Sequence, residues 1–263
     1  MDLQLSGKSA LVTGASRGLG YAVARLLAHE GCRVAINSRE TDKISAAAQV
    51  LASESRSQVI GLAGDVVDPA TPGRLIQQTA EAFGGLDLLV TNSGGPPSGK
   101  FESFDDAVWE NAIELNLMSH VRLIRAALPY LRQSSAPSVL TITSYSVKQP
   151  IPNLVLSNSV RAATVGLTKT LALELGSEGI RFNSILPAWT ETERVYELMA
   201  YRAKVNGTTM EEEVAKQSKD SPFGRMGSPE EFASAAIFLL SPVAGYITGV
   251  MLPVDGGMYK GTL

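Results

Sequence analysis

What narrows the folding options of this chain above all is an alternation. Short runs rich in β-branched and other apolar residues are each followed by a longer stretch of helical period. The short runs are Ser9 to Val12, Arg33 to Ile36, Gln58 to Leu62, Leu86 to Val90, Ser138 to Ile142, Arg181 to Leu186 and Val250 to Pro253. Helical patterning fills Gly20 to His29, about Asp42 to Ser53, Pro69 to Phe83, Asp105 to Leu131, Leu156 to Leu175 and Glu230 to Leu240. Strands separated by helices of this length imply βαβ units, hence a parallel sheet with helices on both faces. The expected fold is α/β, a Rossmann-like doubly wound parallel sheet in three layers. With 263 residues, the chain is long enough for one large domain and short for two. In such sheets ligands bind outside the carboxyl ends of the strands, so functional residues are expected just after each strand.

The segment after the first strand run is Thr13-Gly14-Ala15-Ser16-Arg17-Gly18-Leu19-Gly20. Gly14 permits a tight turn. Gly18 lets the backbone approach a pyrophosphate, and Gly20 allows helix to pack closely on strand. The following helix start offers free N–H groups to an anion. Its place, after an apolar run and before a helix, predicts dinucleotide binding. The second strand run ends at Ile36-Asn37-Ser38-Arg39. An acidic residue there would bind a ribose 2′-hydroxyl and repel a 2′-phosphate. None is present, while Ser38, Arg39 and Arg17 supply a hydroxyl and two cations. The expectation is NADP(H) in preference to NAD(H), the alternative being that Arg39 is only a solvated surface residue.

Composition excludes several other roles. The formal net charge of −3 suggests neither nucleic acid nor an anionic membrane as partner. The longest apolar stretches, such as Phe232 to Leu240, are too short to span a bilayer. Met1-Asp2-Leu3-Gln4 lacks the basic and apolar regions of a signal peptide. The single Cys32 has no partner for a disulfide, so a cytoplasmic location is expected. His29 and His120 lack metal-ligand spacing, and no metal site is expected; both, with Cys32, read as structural or surface residues. Residues 188–226 break the alternation and carry the acidic run Glu211-Glu212-Glu213. They read as a solvated helix face, as a lid over a ligand, or as both.

Taken in order, these motifs resemble the short-chain dehydrogenase/reductase family, in the layout of 3-oxoacyl-acyl-carrier-protein reductases. The resemblance runs through Thr13-Gly14-x-x-x-Gly18-x-Gly20, Asp65, Thr91-Asn92-Ser93-Gly94, Asn116, Ser144, Pro187, Ile247-Thr248-Gly249 and Asp255-Gly256-Gly257. It implies a carbonyl/hydroxyl oxidoreductase over nearly the whole chain. By resemblance Asp65 and Val66 flank an adenine, and Asn92 and Gly94 line the cofactor. Pro187 and Thr192 approach the nicotinamide carboxamide. The resemblance also implies a homo-oligomer, usually a tetramer, with the helical stretches Asp105 to Leu131 and Leu156 to Leu175 at the interface.

The family's active site is an Asn, a Ser, a Tyr and a Lys. Here Asn116 and Ser144 stand in the first two places, but the aligned pair is Ser157 and Arg161. A tyrosine can be brought toward neutrality by a neighbouring cation. An alkyl hydroxyl cannot, so Ser157 can donate a hydrogen bond or relay a proton but forms no useful oxyanion. Arg161 keeps its charge and offers a planar fork of donors, suited to ribose hydroxyls or a carboxylate, and is a poor proton shuttle. Tyr145 and Lys148 look superficially like a displaced pair, yet read more simply as a packed ring and a solvated amine. Trp189 is either a pocket wall or packing under the lid. Gly95-Pro96-Pro97 forms a stiffened loop, a fixed pocket wall if it has a role. Two functions follow: an NADP(H)-dependent oxidoreductase with a degenerate tetrad, or a non-catalytic nucleotide-binding sensor or partner subunit. A small-molecule carbonyl or hydroxyl substrate belongs to the first.

Overall fold

The computed structural model describes residues 1–262. In chain order its elements are β1 (Ser9–Val12), α1 (Gly18–His29), β2 (Arg33–Ser38), α2 (Thr41–Ser55), β3 (Val59–Ala63), α3 (Thr71–Phe83), β4 (Leu88–Thr91), α4 (Asp106–Ile113), α5 (Ser119–Leu131), β5 (Ser138–Ile142), α6 (Val155–Leu175), β6 (Arg181–Pro187), α7 (Glu193–Asn206), α8 (Met210–Ser218), α9 (Pro229–Leu240) and β7 (Met251–Val254). The strands pair in parallel in the order β3-β2-β1-β4-β5-β6-β7. The α/β doubly wound expectation therefore holds. The order reverses between β1 and β4, the switch point at which sheets of this kind bind their ligands.

Side chains alternate across the sheet, as the strand period requires. Ala10 and Val12 face α1, α2 and α9, joining Val23, Leu27, Ile44, Leu51, Phe232 and Leu240 in one core layer. Leu11 faces the other way, toward α3, α5 and Phe182, with Leu75, Ile76, Leu123 and Ile124. Strands β1, β4, β5 and β6 are buried along their whole length. That is why β1 and β4 read as continuous apolar runs rather than alternating ones.

Three features depart from the sequence reading. The helical stretch from Asp105 to Leu131 is not one α-helix: a π-helical turn at Glu114–Met118 separates α4 from α5. Such turns occur mostly as single-turn insertions in α-helices, frequently at functional sites, and this one carries Asn116. Helix α1 begins at Gly18 rather than Gly20. Finally, the acidic run is not simply a wet helix face. Glu213 is buried and accepts from Asn206 Nδ2 at 2.9 Å and Thr208 Oγ1 at 2.8 Å, while Glu212 completes a capping box with Thr209. Acidic residues belong in a first helical turn because they meet unsatisfied N–H groups there.

Residues 188–226 thus form the helix pair α7–α8, pinned at its base. Gly227 donates to the Trp189 carbonyl at 3.0 Å and accepts from the Glu191 N–H at 2.9 Å. Among the described residues, no helix is long and apolar enough to cross a membrane.

Candidate active site

The glycine loop is stitched to the end of β4 across the point where the strand order reverses. Thr13 Oγ1 donates to the Asn92 carbonyl at 2.8 Å, the Asn92 N–H returns to Thr13 Oγ1 at 2.9 Å, and Asn92 Nδ2 donates to the Gly14 carbonyl at 3.0 Å. Gly14 has φ +59° and Gly18 φ +63°, conformations that L side chains rarely adopt. At Gly20 a Cβ would lie 2.5 Å from the Gly14 carbonyl oxygen, so only glycine fits under the turn. The roles expected of Gly14 and Gly20 agree with this geometry. No side chain caps the start of α1, so the N–H groups of its first turn face outward toward any anion held by the loop.

At the end of β2, Asn37 ties the loops together, receiving the Ala15 N–H on its carbonyl and donating Nδ2 to the Leu62 and Gly64 carbonyls. Beside it the Ser38 hydroxyl is buried without a partner. Arg39 is exposed. Arg17, also exposed, reaches across to α7, where it pairs with Glu193 and lies 3.5 Å from Glu197. The Glu193 hydrogen bond raises the Arg17 pKa despite some burial. These two carboxylates were missed at the sequence level, since nothing in a linear reading joins Arg17 to Glu193, 176 residues away, or to Glu197 beyond it. Thr192 starts the same helix, and its Cγ2 lies 3.8 Å from where a Gly18 Cβ would be. Asp65 accepts the Val67 N–H at 3.1 Å and Val66 is buried beside it. Pro187 ends β6. Ser16 and Leu19 are half-buried in the glycine loop.

Asn116 is fully buried in the π-helical turn. Its Nδ2 donates to Ser93 Oγ at 2.7 Å and to the Gly94 carbonyl at 2.9 Å, while Oδ1 has no partner. Ser144 is half-buried after β5 and accepts the Ser146 N–H at 3.2 Å, capping a short 3₁₀ turn. Ser157 lies half-buried in the first turn of α6, one turn before Arg161.

Arg161 departs from expectation. It is buried, and its guanidinium donates to the carbonyls of Ile142 at 3.3 Å, Thr143 at 3.4 Å and Gly94 at 3.4 Å rather than standing open in the cleft. Burial pulls its pKa down to about 10, which still leaves it charged at neutral pH. His120, expected in a structural or surface role, lies inside the fold. It is buried, its Nδ1 lies 2.7 Å from Thr91 Oγ1, and burial together with the Arg161 charge lowers its pKa to about 3. Its spacing of four residues after Asn116, one helical turn, was the available signal.

The matches to known proteins agree over this same span. The family described as Enoyl-(Acyl carrier protein) reductase matches residues 14–259. The 3-oxoacyl-acyl-carrier-protein reductase FabG of Vibrio cholerae is 33% identical over 98% of this chain and 99% of its own length. The chain belongs to the short-chain dehydrogenase/reductase family. Another relative of this short-chain dehydrogenase/reductase, the L-rhamnose 1-dehydrogenase (NAD(P)(+)) of a Sphingomonas strain, is 34% identical over 97% of both chains. Among solved structures, L-sorbose reductase from Gluconobacter frateurii, complexed with NADPH and L-sorbose, superposes with a TM-score of 0.95. It is 32% identical and covers 99% of this chain and 100% of its own.

Within this family member the displaced Tyr–Lys pair does not form. Tyr145 is buried against Val165, Leu186 and Met258 under Trp189. Burial raises its pKa, and Asp220 and Asp255 push the same way. That is the wrong direction for a proton donor. Lys148 is half-buried, not solvated, and lies 5.1 Å from the centre of the Tyr259 ring. Trp189 packs on the Tyr145 cluster with the Arg202 guanidinium 5.1 Å from the centre of its ring, so it packs beneath α7. In the loop after β4, Pro96 is buried and Pro97 exposed. Cys32 is buried, donates to the Leu5 carbonyl, and has its thiol pushed up to about 12 by burial. His29 is exposed at the end of α1. Among the described residues no group of three or more His, Cys, Asp or Glu side chains gathers as a metal set.

Proposed function

We propose that this chain is an NADP(H)-dependent oxidoreductase acting on a carbonyl/hydroxyl substrate, 3-oxoacyl reductase-like, in which hydroxyl groups replace the family's phenol. The observation that carries this reading is the cradle at the sheet's switch point. Gly14 and Gly18 leave their strained turn free of side chains, the start of α1 is uncapped, and the buried Ser38 hydroxyl lacks a partner. Ser38 and Arg39 suit a 2′-phosphate, with no carboxylate between Ile36 and Arg39, and Arg17 would join them on leaving Glu193. The L-sorbose reductase solved with NADPH supports the choice of cofactor, and the relative from Vibrio cholerae the substrate class.

Gly14, Ser16, Arg17, Gly18, Leu19 and Gly20 would hold the pyrophosphate end, Ser38 and Arg39 the ribose phosphate, and Asp65 with Val66 the adenine. Asn92, Ser93, Gly94, Pro187 and Thr192 would line the nicotinamide half, with Arg161 behind Gly94. When bound, the cofactor supplies or accepts a hydride. Ser144 spends one lone pair on the Ser146 N–H, and its own O–H can donate to a substrate oxygen. Ser157 is the second hydroxyl at that end of the cleft. Neither serine ionises near neutrality, so each orients the oxygen while the exchanged proton comes from solvent. Asn116 holds the Ser93 hydroxyl and the Gly94 carbonyl in place. Loss of a positioned general acid costs about 10²–10⁴-fold in rate, so slow turnover is expected. Residues 188–226 serve as the lid, the assembly is a homotetramer, and the reduced Cys32 suits the cytoplasm.

Dissociation constants for NADPH and NADH, followed by NADPH oxidation with ketones, 3-oxoacyl thioesters and quinones, test the reading. NADPH should bind more tightly, and Ser144→Ala should abolish the turnover of the wild type. Equal affinities remove the phosphate clamp. A wild type that binds NADPH and turns over nothing, beside an active Ser157→Tyr/Arg161→Lys double variant, makes the chain a nucleotide-binding sensor or partner subunit instead.

A further inference from the structure

Helix α6 carries three threonines, and one of them behaves differently from the others. A threonine inside a helix can turn its hydroxyl back to the carbonyl four residues earlier. Thr168 does so, donating to the Thr164 carbonyl at 2.9 Å, and Thr170 donates to the Gly166 carbonyl at 3.0 Å. Thr164 does not follow them. The carbonyl four residues before it, that of Val160, lies 3.4 Å from its Oγ1. The closer acceptor is outside the helix: the hydroxyl donates to the main-chain carbonyl of Asn116, in the π-helical turn. A hydroxyl has one proton to donate, and at Thr164 that proton goes to the turn.

Both partners are shut off from solvent: Thr164 and Asn116 are each 0% exposed. Their contact closes a ring. Asn116 Nδ2 donates to the Gly94 carbonyl at 2.9 Å and to Ser93 Oγ at 2.7 Å, and Arg161 Nη2 reaches the same Gly94 carbonyl at 3.4 Å. Arg161 and Thr164 stand three residues apart, on one face of α6. From Arg161 the links run on to the carbonyls of Ile142 and Thr143, directly before Ser144. The ring therefore ties together the loop after β4, the π-helical turn, the end of β5 and α6. The Thr164 bond joins α6 to the turn, and without it the ring opens.

We propose that Thr164 is a positioning residue of this site: its hydroxyl draws the π-helical turn against α6 and so sets where the Asn116 amide meets Ser93 and Gly94. The proposal rests on the oxidoreductase reading, in which Ser93 and Gly94 line the nicotinamide half of the cleft. A buried main-chain carbonyl that loses its donor is costly, so a turn deprived of the Thr164 hydroxyl shifts toward another partner. The Asn116 side chain moves with it, and the Ser93 hydroxyl and Gly94 carbonyl lose their fixed donor. Misplacing a positioned group by about 1 Å can cost about 10²-fold in rate. Thr164 touches neither substrate nor cofactor in this role; it acts through Asn116.

Thr164→Val keeps the branched shape and removes the donor, whereas Thr164→Ser keeps the donor. In NADPH-dependent reduction Thr164→Val should lower kcat about 10-fold, with KM and the NADPH dissociation constant unchanged, the pattern of an interaction made in the transition state. Thr164→Ser should recover most of that loss. In an Asn116→Ala background Thr164→Val should cost nothing further, because the amide it positions is gone. Hydrogen exchange read by mass spectrometry should be faster over residues 114–118 in Thr164→Val than in Thr164→Ser, with α9 unchanged. Wild-type kcat in Thr164→Val, an equal loss in Thr164→Ser, full additivity with Asn116→Ala, or unaltered exchange over 114–118 each overturns the proposal. If Thr164→Val fails to fold, Thr164→Cys, of similar size and only a weak donor, takes its place with the same readings. If the wild type reduces nothing, the oxidoreductase reading fails on its own, and the exchange rates judge the Thr164 link separately.

Discussion

Burial, helped by the charge of Arg161, holds the His120 imidazole at about 3. The unfolded chain protonates the same ring near pH ~6.5. Below that value the unfolded state binds a proton that the native state refuses. The stability contribution is therefore complete above about pH 6.5 and is lost as the pH falls toward the folded value, by an amount on the order of a few kcal/mol. Urea midpoints at about pH 7 and about pH 4.5 should differ more in the wild type than in His120→Gln, which has no ring to protonate. Equal differences in the two proteins would contradict the burial argument. Single positions were unevenly legible in the sequence. Gly14 and Gly20 could be assigned because each does something only glycine can do. His120 could not, because one histidine on an amphipathic stretch looks alike whether it meets solvent or a buried threonine. Arg161 was located by its alignment, while its carbonyl partners, on β5 and in the loop after β4, were not.

Arg181 shows how one element depends on another. It opens β6 with its side chain buried, and its guanidinium donates to the carbonyls of Leu239 at 2.6 Å, Leu240 at 2.8 Å and Ser241 at 3.0 Å. These acceptors lie at and just past the last residues of α9, where carbonyls lack intrahelical partners and a cation meets the negative end of the helix dipole. Arg181→Met should cost about 2–4 kcal/mol by stranding those carbonyls. Thermal and urea unfolding would register the loss, while NADPH affinity per folded molecule should hold. A loss below 0.5 kcal/mol, the range of an ordinary surface change, would show that solvent replaces the guanidinium. The other strands and helices were readable from period and length, with shifts of one to a few residues at the ends, but α7 and α8 were not placed, because residues 188–226 are too polar to show a clear apolar face. The π-helical turn was not readable. It inserts its extra residue without disturbing the apolar pattern on either side, and the pull of the Asn116 contacts on Ser93 and Gly94 becomes visible only in three dimensions.

For the assembled molecule, Leu173 on α6 is 76% exposed and Ile113 on α4 is 39% exposed, apolar side chains on two of the helical stretches expected to meet a second copy. Single exposed leucines are ordinary, so the test is direct: light scattering at micromolar concentration should give a tetramer, and a stable monomer would end that expectation. The alternation of strand and helix and the turn built on Gly14 and Gly18 were legible because each rests on neighbours along the chain. Whether a charge is cancelled is a different kind of question. Arg17 meets Glu193 from 176 residues away, and Arg161 meets no carboxylate at all among the described residues. Both outcomes depend on which side chains the packed sheet brings within a few ångströms of each other, and Coulomb energy follows distance and burial rather than position in the chain.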